Sequence, residues 1–302
     1  MLYESVDKLI GNTPTLKFNR ITALDGEKRL YGKVEYFNPS GSIKDRAALY
    51  MLNDALEKSL IDNNSTIIEA TSGNTGIALA MLCASKGLRL ILTMPESMSV
   101  ERRKILSIYG AELVLTAKEL GMAGAVDKAN ELNKTIPNSF IPSQFTNTAN
   151  PRAHFETTAK EIEKDVKDLS AIVIGIGSAG TFNGIASYFR AKATKVKIIA
   201  VEPYGSPLLS QGVTGKHDLQ GIGANFVPKF ADKDLMDEII TVKDEEAYEY
   251  ARLLASKEGM LCGITSGAAV SAAVKVSEHI KGNILSILPD TGMRYLSTKM
   301  YE

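Results

Sequence analysis

The chain has 302 residues with 35 basic and 35 acidic side chains, and it is 44% hydrophobic and 23% charged. This composition excludes a disordered or collagen-like chain. A neutral chain without a long basic run has no field to hold nucleic acid or an anionic membrane. Its longest apolar run, Ile77–Ala84, is far shorter than the about 20 residues of a membrane span. We therefore expect a cytoplasmic protein with neither kind of partner.

The cysteines and histidines do not have the spacing of a metal site. Cys83 and Cys262 lie far apart in apolar segments, and the three histidines are scattered along the chain. We expect no metal, and we expect both cysteines to be small core residues in a reducing compartment.

Short β-branched runs alternate with longer amphipathic segments. The predicted strands, in chain order, are YGKVEY, STIIEA, LRLILTM, AELVLT, AIVIGI, VKIIAVEP and ILSILP. The predicted helices span residues 43–59, 75–86, 100–109, 121–133, 181–191, 245–257 and 267–278. This alternation predicts an α/β protein with two doubly wound, mostly parallel sheets and a cleft between two domains. Ligands of such sheets bind at the carboxyl ends of strands, so the strand-to-helix turns are the candidate sites.

The turn EATSGNTG follows the second predicted strand and opens a helix. Thr71, Ser72, Asn74 and Thr75 place four short polar side chains beside the free N–H groups of that helix start. Such a start favours an anion, because the N–H groups and the helix dipole both attract negative charge. An ordinary N-cap is the alternative, since Ser, Thr and Asn are the preferred capping residues.

The turn GIGSAGT, residues 175–181, follows the strand AIVIGI. Its glycines allow the backbone to approach a phosphate, and Ser178 and Thr181 can donate hydrogen bonds to it. The same residues match the G-x-G-x-x-G dinucleotide motif, with Glu202 at the end of the next strand. The turn therefore leaves a nicotinamide-dependent dehydrogenase open as an alternative, together with a tight turn that binds nothing.

Two further turns carry candidate residues. Lys44 follows NPSGSI at a helix start, and an amine near a phosphate site is what a Schiff base with pyridoxal phosphate requires. Ser266 lies in GITSGAA, where a helix cap is the ordinary interpretation.

Taken together, these turns resemble the cysteine synthase and cystathionine β-synthase family, the fold type II pyridoxal-phosphate enzymes. The resemblance runs from IGNTPTLKF through NPSGSIKDR, EATSGNTG, SQFTNTANP, GIGSAGT, QGIGANFVP and GITSGAA to RYLST. It implies a smaller domain at residues 38–148 and a larger one formed by 1–37 with 149–302. It also implies a homodimer and a possible interaction with the tail of serine acetyltransferase.

The resemblance assigns roles residue by residue. Lys44 would carry pyridoxal 5'-phosphate, Asn74 would contact its ring hydroxyl, and Ser266 would meet its ring nitrogen. The phosphate would bind to Gly177, Ser178, Ala179, Gly180 and Thr181. The amino-acid substrate would bind to Thr71, Ser72, Thr75, Gln144, Gly221 and Asn225. The loop departs from the usual T-G-G-T at Ser178 and Ala179, and Asn225 stands where Gly or Asp is usual.

The choice of reaction depends on the nucleophile. Water needs a positioned base, whereas sulfide needs little activation. Asp232 in KFADKD is a candidate base, although a solvated charged loop is the simpler interpretation. The chain looks closest to cysteine (hydroxyl) lyases, which release hydrogen sulfide from L-cysteine through an aminoacrylate and add water to give L-serine. O-acetylserine sulfhydrylase, or cysteine synthase, is the close alternative.

Overall fold

The computed structural model describes residues 2–21 and 28–302. Its strands are β1 Thr15–Lys17, β2 Lys28–Val34, β3 Thr66–Ala70, β4 Arg89–Pro95, β5 Glu112–Thr116, β6 Ser139–Phe140, β7 Leu169–Gly175, β8 Lys197–Pro203, β9 Glu238–Val242 and β10 Gly282–Leu288. Its α-helices are α1 Lys44–Glu57, α2 Asn74–Lys86, α3 Val100–Ile108, α4 Gly121–Thr135, α5 Ala149–Ala153, α6 Ala159–Asp165, α7 Gly180–Ala191, α8 Leu208–Gln211, α9 Asp244–Glu258 and α10 Ile264–Ser277. Within those residues, we find no helix with the length and apolarity to cross a membrane.

The larger sheet has six strands in the order β1-β2-β10-β7-β8-β9. All neighbours are parallel except β1 and β2. Successive side chains of β7 enter opposite cores: Ile172 and Ile174 pack on one face, Ala171 and Val173 on the other. Burial on both faces explains why this strand is a continuous apolar run rather than an alternating one.

The smaller sheet has four parallel strands in the order β5-β4-β3-β6. Ile67 of β3 packs into a core with α2, whereas Ile68 faces a second core that includes Ala129 of α4. The predicted α/β architecture with two mostly parallel sheets is therefore confirmed. All seven predicted strands are present, while β1, β6 and β9 were not predicted because they are short or lack a continuous buried run.

The chain divides into two compact units. One contains Met1–Ile10 and Lys44–Asn150, and the other contains Gly11–Ile43 and Pro151–Glu302. This division differs from the boundaries expected at residues 38 and 148. The first residues join the smaller unit because Val6 and Ile10 pack against its core. Residues up to Ile43 join the larger unit because Ile43 N donates to Pro289 O and Ser42 forms a β-bridge with Asp290.

Candidate functional site

In the smaller unit, the turn after β3 opens a helix with glycine at its N-cap. Gly73 occupies that position of α2 and has no side chain to cap the helix. Thr71 Oγ1 instead accepts from Gly73 N at 3.3 Å, and Thr71 and Thr75 are buried. Because glycine has no capping side chain, the N–H groups of this start and the nearby hydroxyls suit an anion.

Gln144 joins this turn from a distant part of the unit. Its Oε1 accepts from Thr75 Oγ1 at 2.7 Å, and its backbone carbonyl accepts from Asn150 Nδ2 at 2.7 Å. Its neighbour Ser143 donates its backbone N–H to Glu69 Oε2 at 2.9 Å. Burial raises the pKa of Glu69 to about 7, although the Ser143 N–H favours the ionised form. Of the expected group, Thr75 and Gln144 are thus joined directly, while Thr71 and Ser72 lie in the same turn as Thr75.

Lys44 is the first residue of α1 and is partly buried. Its helix packs against α2, the helix whose first residue is Asn74. Both candidate residues therefore lie at the N-terminal ends of two packed helices.

In the larger unit, the turn between β7 and α7 is shaped by close backbone contacts. A Cβ on Gly177 would lie 2.3 Å from Gly221 O, so only glycine fits there. Ala179 is the N-cap of α7 and has φ of 61°, a left-handed conformation that usually requires glycine. Ala179 has no capping group, and Ser178 Oγ accepts a long hydrogen bond, 3.5 Å, from Gly180 N at the start of α7. The N–H groups of this start suit an external anion.

His154 contacts the same turn and was not predicted. Its Nε2 lies 3.2 Å from Thr181 Oγ1, and its Nδ1 lies 2.9 Å from Thr158 Oγ1. His154 is almost fully buried in a π-helical turn, His154–Thr158, a geometry often found at functional sites. Gly184 of α7 permits the approach, since a Cβ there would lie 2.2 Å from Pro151 O. Because 27 residues separate His154 from Thr181, no local pattern marks the pair.

Ser266 lies in the first turn of α10 and is fully buried. Within residues 2–21 and 28–302 its Oγ has no hydrogen-bond partner beyond a weak contact with the Cys262 thiol. The capping role is excluded, because Gly263 is the N-cap of that helix. An unsatisfied buried hydroxyl is costly, so the Ser266 Oγ is available to a ligand atom. Its neighbour Thr265 donates to Gln220 O at 2.9 Å, which fixes the backbone beside Gly221.

The remaining predicted residues have local partners. Asp232 is exposed, and its carboxylate accepts from Asp234 N at 3.0 Å, capping the short 3₁₀ turn Lys233–Leu235. Asn225 Oδ1 accepts from Ser206 Oγ at 2.7 Å. Neither contact involves a reacting group, and both assigned roles stay predictions.

The acidic residue that a dinucleotide site would need for the ribose, Glu202, has other partners in this structure. The Glu202 carboxylate is buried and accepts from the N–H groups of Leu209 and Ser210, which begin the helix α8. It also accepts from the Ser210 hydroxyl. Glu202 is therefore a helix-capping group here.

The comparisons with known proteins agree with this geometry. Residues 6–290 match the family described as "Pyridoxal-phosphate dependent enzyme". Cysteine synthase B of Campylobacter jejuni is 49% identical over 99% of both chains. The structure of a hydrogen sulfide-producing enzyme from Fusobacterium nucleatum is 43% identical with a TM-score of 0.91, covering 98% of this chain and all of that one.

A cysteine synthase structure from Entamoeba histolytica has a TM-score of 0.96 at 38% identity and covers 100% of this chain and 91% of that one. A family match over nearly the whole chain fixes the cofactor as pyridoxal 5'-phosphate. The chain belongs to the family of pyridoxal-phosphate dependent enzymes.

Proposed function

We propose that this protein is a cysteine synthase, which replaces the acetoxy group of O-acetylserine with sulfide to form L-cysteine. The observation that carries the proposal is the full-length similarity to Campylobacter jejuni cysteine synthase B. The start of α2 supports it, because its N-cap is a glycine and an amino-acid substrate brings a carboxylate that a helix start attracts.

The chain's own residues fit the cofactor. The N–H groups and hydroxyls of residues 177–181 suit a phosphate at the start of α7. The unsatisfied Ser266 Oγ suits the ring nitrogen, and Asn74, at the start of α2, would contact the ring hydroxyl. Lys44 would supply the amine that holds the cofactor covalently. A neutral serine at the ring nitrogen does not stabilise a proton there as a carboxylate would, which favours prompt departure of a group from Cβ.

Each residue has a distinct task in the reaction. When bound, pyridoxal phosphate supplies the electron sink that acidifies the α-proton and permits departure of the Cβ substituent. Thr71, Ser72, Thr75 and Gln144 bind and orient the substrate carboxylate. The amine of Lys44 removes the α-proton as a general base and returns it at the end. Because sulfide is already nucleophilic, no further base is required.

Cysteine (hydroxyl) lyase is the second candidate. The similarity to the Fusobacterium nucleatum hydrogen sulfide-producing enzyme favours it. That reaction requires a base for water, and the sequence offered Asp232. The Asp232 carboxylate already caps the Lys233–Leu235 turn and is exposed. We therefore place this reaction after cysteine synthesis, the reverse of the order the sequence suggested.

Product analysis separates the two reactions. The holoenzyme is offered O-acetylserine with sulfide, cysteine alone and homocysteine with cysteine, and the products are identified by mass spectrometry. We expect cysteine from the first mixture and slower sulfide release from the second. Faster release of sulfide and serine from cysteine alone would reverse the assignment. In that case Asp232→Asn tests the base, and unchanged hydrolysis would exclude Asp232.

Lys44→Ala is the control for the whole assignment. It should lose both turnover and the visible absorption of the lysine-bound cofactor. A variant that kept the visible band would show that another amine holds the cofactor.

The proposed function also carries expectations about the oligomeric state, a protein partner and the cell compartment. We expect a cytoplasmic homodimer, and we expect the tail of serine acetyltransferase to compete with the amino-acid substrate. Sedimentation equilibrium tests the dimer. Inhibition by the synthetic tail peptide, competitive with O-acetylserine, tests the partner, and non-competitive or absent inhibition would contradict it.

A further inference from the structure

The side chain of Met98 contacts the proposed substrate-binding turn. Ser72 Oγ donates a hydrogen bond to Met98 Sδ at 2.7 Å, and Ser72 is buried. A thioether sulfur is only a weak acceptor. The Ser72 hydroxyl can therefore leave Met98 for a substrate carboxylate at little cost.

Met98 is held in place by the segment between β4 and α3. Met98 N donates to Pro95 O at 3.1 Å. The Arg103 guanidinium donates to Met98 O at 2.9 Å and to Glu96 O at 2.6 Å. These contacts fix the backbone of a turn whose residues on either side of Met98 are exposed, while Met98 itself is half-buried. The backbone of Met98 is thus fixed beside Ser72, and its half-buried side chain is partly open to solvent.

The two cysteine thiols compete poorly with the Met98 sulfur for an oxidant. Cys83 and Cys262 are buried, and burial raises the pKa of both thiols, to about 12 for Cys83. The thiolate is the reactive form, so we expect these buried thiols to react slowly with peroxide. Met122 and Met293 are exposed methionines of the described chain and serve as comparisons.

We propose that Met98 is a site of reversible oxidation that controls substrate binding at Ser72. The oxidant class is a hydroperoxide, with hydrogen peroxide as the simplest member. One oxygen of hydrogen peroxide forms a bond to Met98 Sδ as the O–O bond breaks. The sulfur loses two electrons, and the other oxygen leaves as water. The proposal rests on the assignment of Ser72 to the substrate carboxylate under the proposed function.

The sulfoxide changes the competition for the Ser72 hydroxyl. The new S=O oxygen is a full-strength acceptor and holds the Ser72 hydroxyl more strongly than the thioether does. A substrate carboxylate then loses one charge-assisted hydrogen bond. The expected result is a rise in KM for the amino-acid substrate of roughly 10-fold. The cofactor contacts of residues 177–181 and Ser266 are not part of this change, so the cofactor absorption should stay the same.

The test uses the holoenzyme. It is treated with hydrogen peroxide, the peroxide is removed before assay, and the sulfoxide at each methionine is quantified by peptide mass spectrometry. KM and kcat for O-acetylserine are then measured for the parent, Met98→Leu and the matched controls Met122→Leu and Met293→Leu. We expect KM to rise in the parent and both controls but not in Met98→Leu. Methionine sulfoxide reductase should reverse the rise.

A second variant separates this effect from damage to packing. Met98→Gln places an amide oxygen near the sulfoxide position and should raise KM without peroxide. The proposal is overturned if Met98 is oxidised with KM unchanged, if Met98→Leu responds like the parent, or if Met98 stays reduced while Met293 is fully oxidised. An untreated holoenzyme that turns over neither O-acetylserine nor cysteine overturns the proposed function and this proposal with it, whereas an active, peroxide-insensitive enzyme overturns this proposal alone.

Discussion

The carboxyl group of Glu69 makes the stability of the protein depend on pH. Glu69 is 5% exposed, and the raised pKa of about 7 comes from burial. The folded protein keeps this proton up to about pH 7, whereas the unfolded chain releases it near the ordinary value of 4.5. The contribution of the protonated Glu69 carboxyl to the free energy of unfolding is therefore fully present below pH 4.5 and is lost as the pH rises through about 7.

The size of the effect follows from the two pKa values. A rise from 4.5 to about 7 corresponds to about 3 kcal/mol of unfolding free energy, lost between acidic and alkaline conditions. Glu69→Gln removes the ionisation, while its amide oxygen still accepts the Ser143 N–H now bound to Glu69. We expect the variant to gain about 2.5 kcal/mol over the parent when the pH is raised from about 5 to about 8.5, because a small part of the effect is already lost at pH 5.

Urea unfolding followed by circular dichroism at the two pH values measures this difference. Glu112→Gln is the matched control, because Glu112 is exposed and its pKa is lowered by a hydrogen bond from Arg89. The control should not gain stability at the higher pH. If the difference between Glu69→Gln and the parent were the same at both pH values, Glu69 would not be protonated in the folded protein and the reasoning would be refuted.

Three further substitutions test the larger unit. Gly177→Ala forces a Cβ toward Gly221 O, so it should lower the free energy of unfolding in urea by about 1–3 kcal/mol and weaken cofactor binding. If equilibrium dialysis showed unchanged affinity for the cofactor, the close approach of the two backbones would be contradicted. His154→Phe removes the partner of Thr181 Oγ1 and should weaken cofactor binding by about fivefold in the same dialysis, whereas an unchanged constant would show that Thr181 is positioned without it. Lys33→Ala leaves two partly buried carboxylates without their cation, so it should lower the free energy of unfolding by about 3–5 kcal/mol. A loss as small as that from breaking an ion pair on the surface would exclude a structural role for Lys33.

Much of the fold could be predicted because its signals are local. Apolar β-branched runs marked the strands of both sheets, and the turns after β3 and β7 were recognisable from their own residues. The segment 149–165 was not predicted as helical, because it is broken by a π-helical turn and has no regular apolar period. The strand expected at YGKVEY ends at Val34, since Glu35–Phe37 form a 3₁₀ turn.

The sequence by itself determined the fold class, the family and the candidate turns, because each depends on residues that are neighbours in the chain. Only the tertiary structure decided how those turns are completed. It brought Gln144 to Thr75, Met98 to Ser72 and His154 to Thr181. It also gave Glu202 and Asp232, two carboxylates that the sequence singled out, local backbone N–H partners, while the catalytic role of Asp232 stays a prediction. Contacts across 26 or more residues depend on how helices and strands pack, and no local pattern specifies which distant atoms meet.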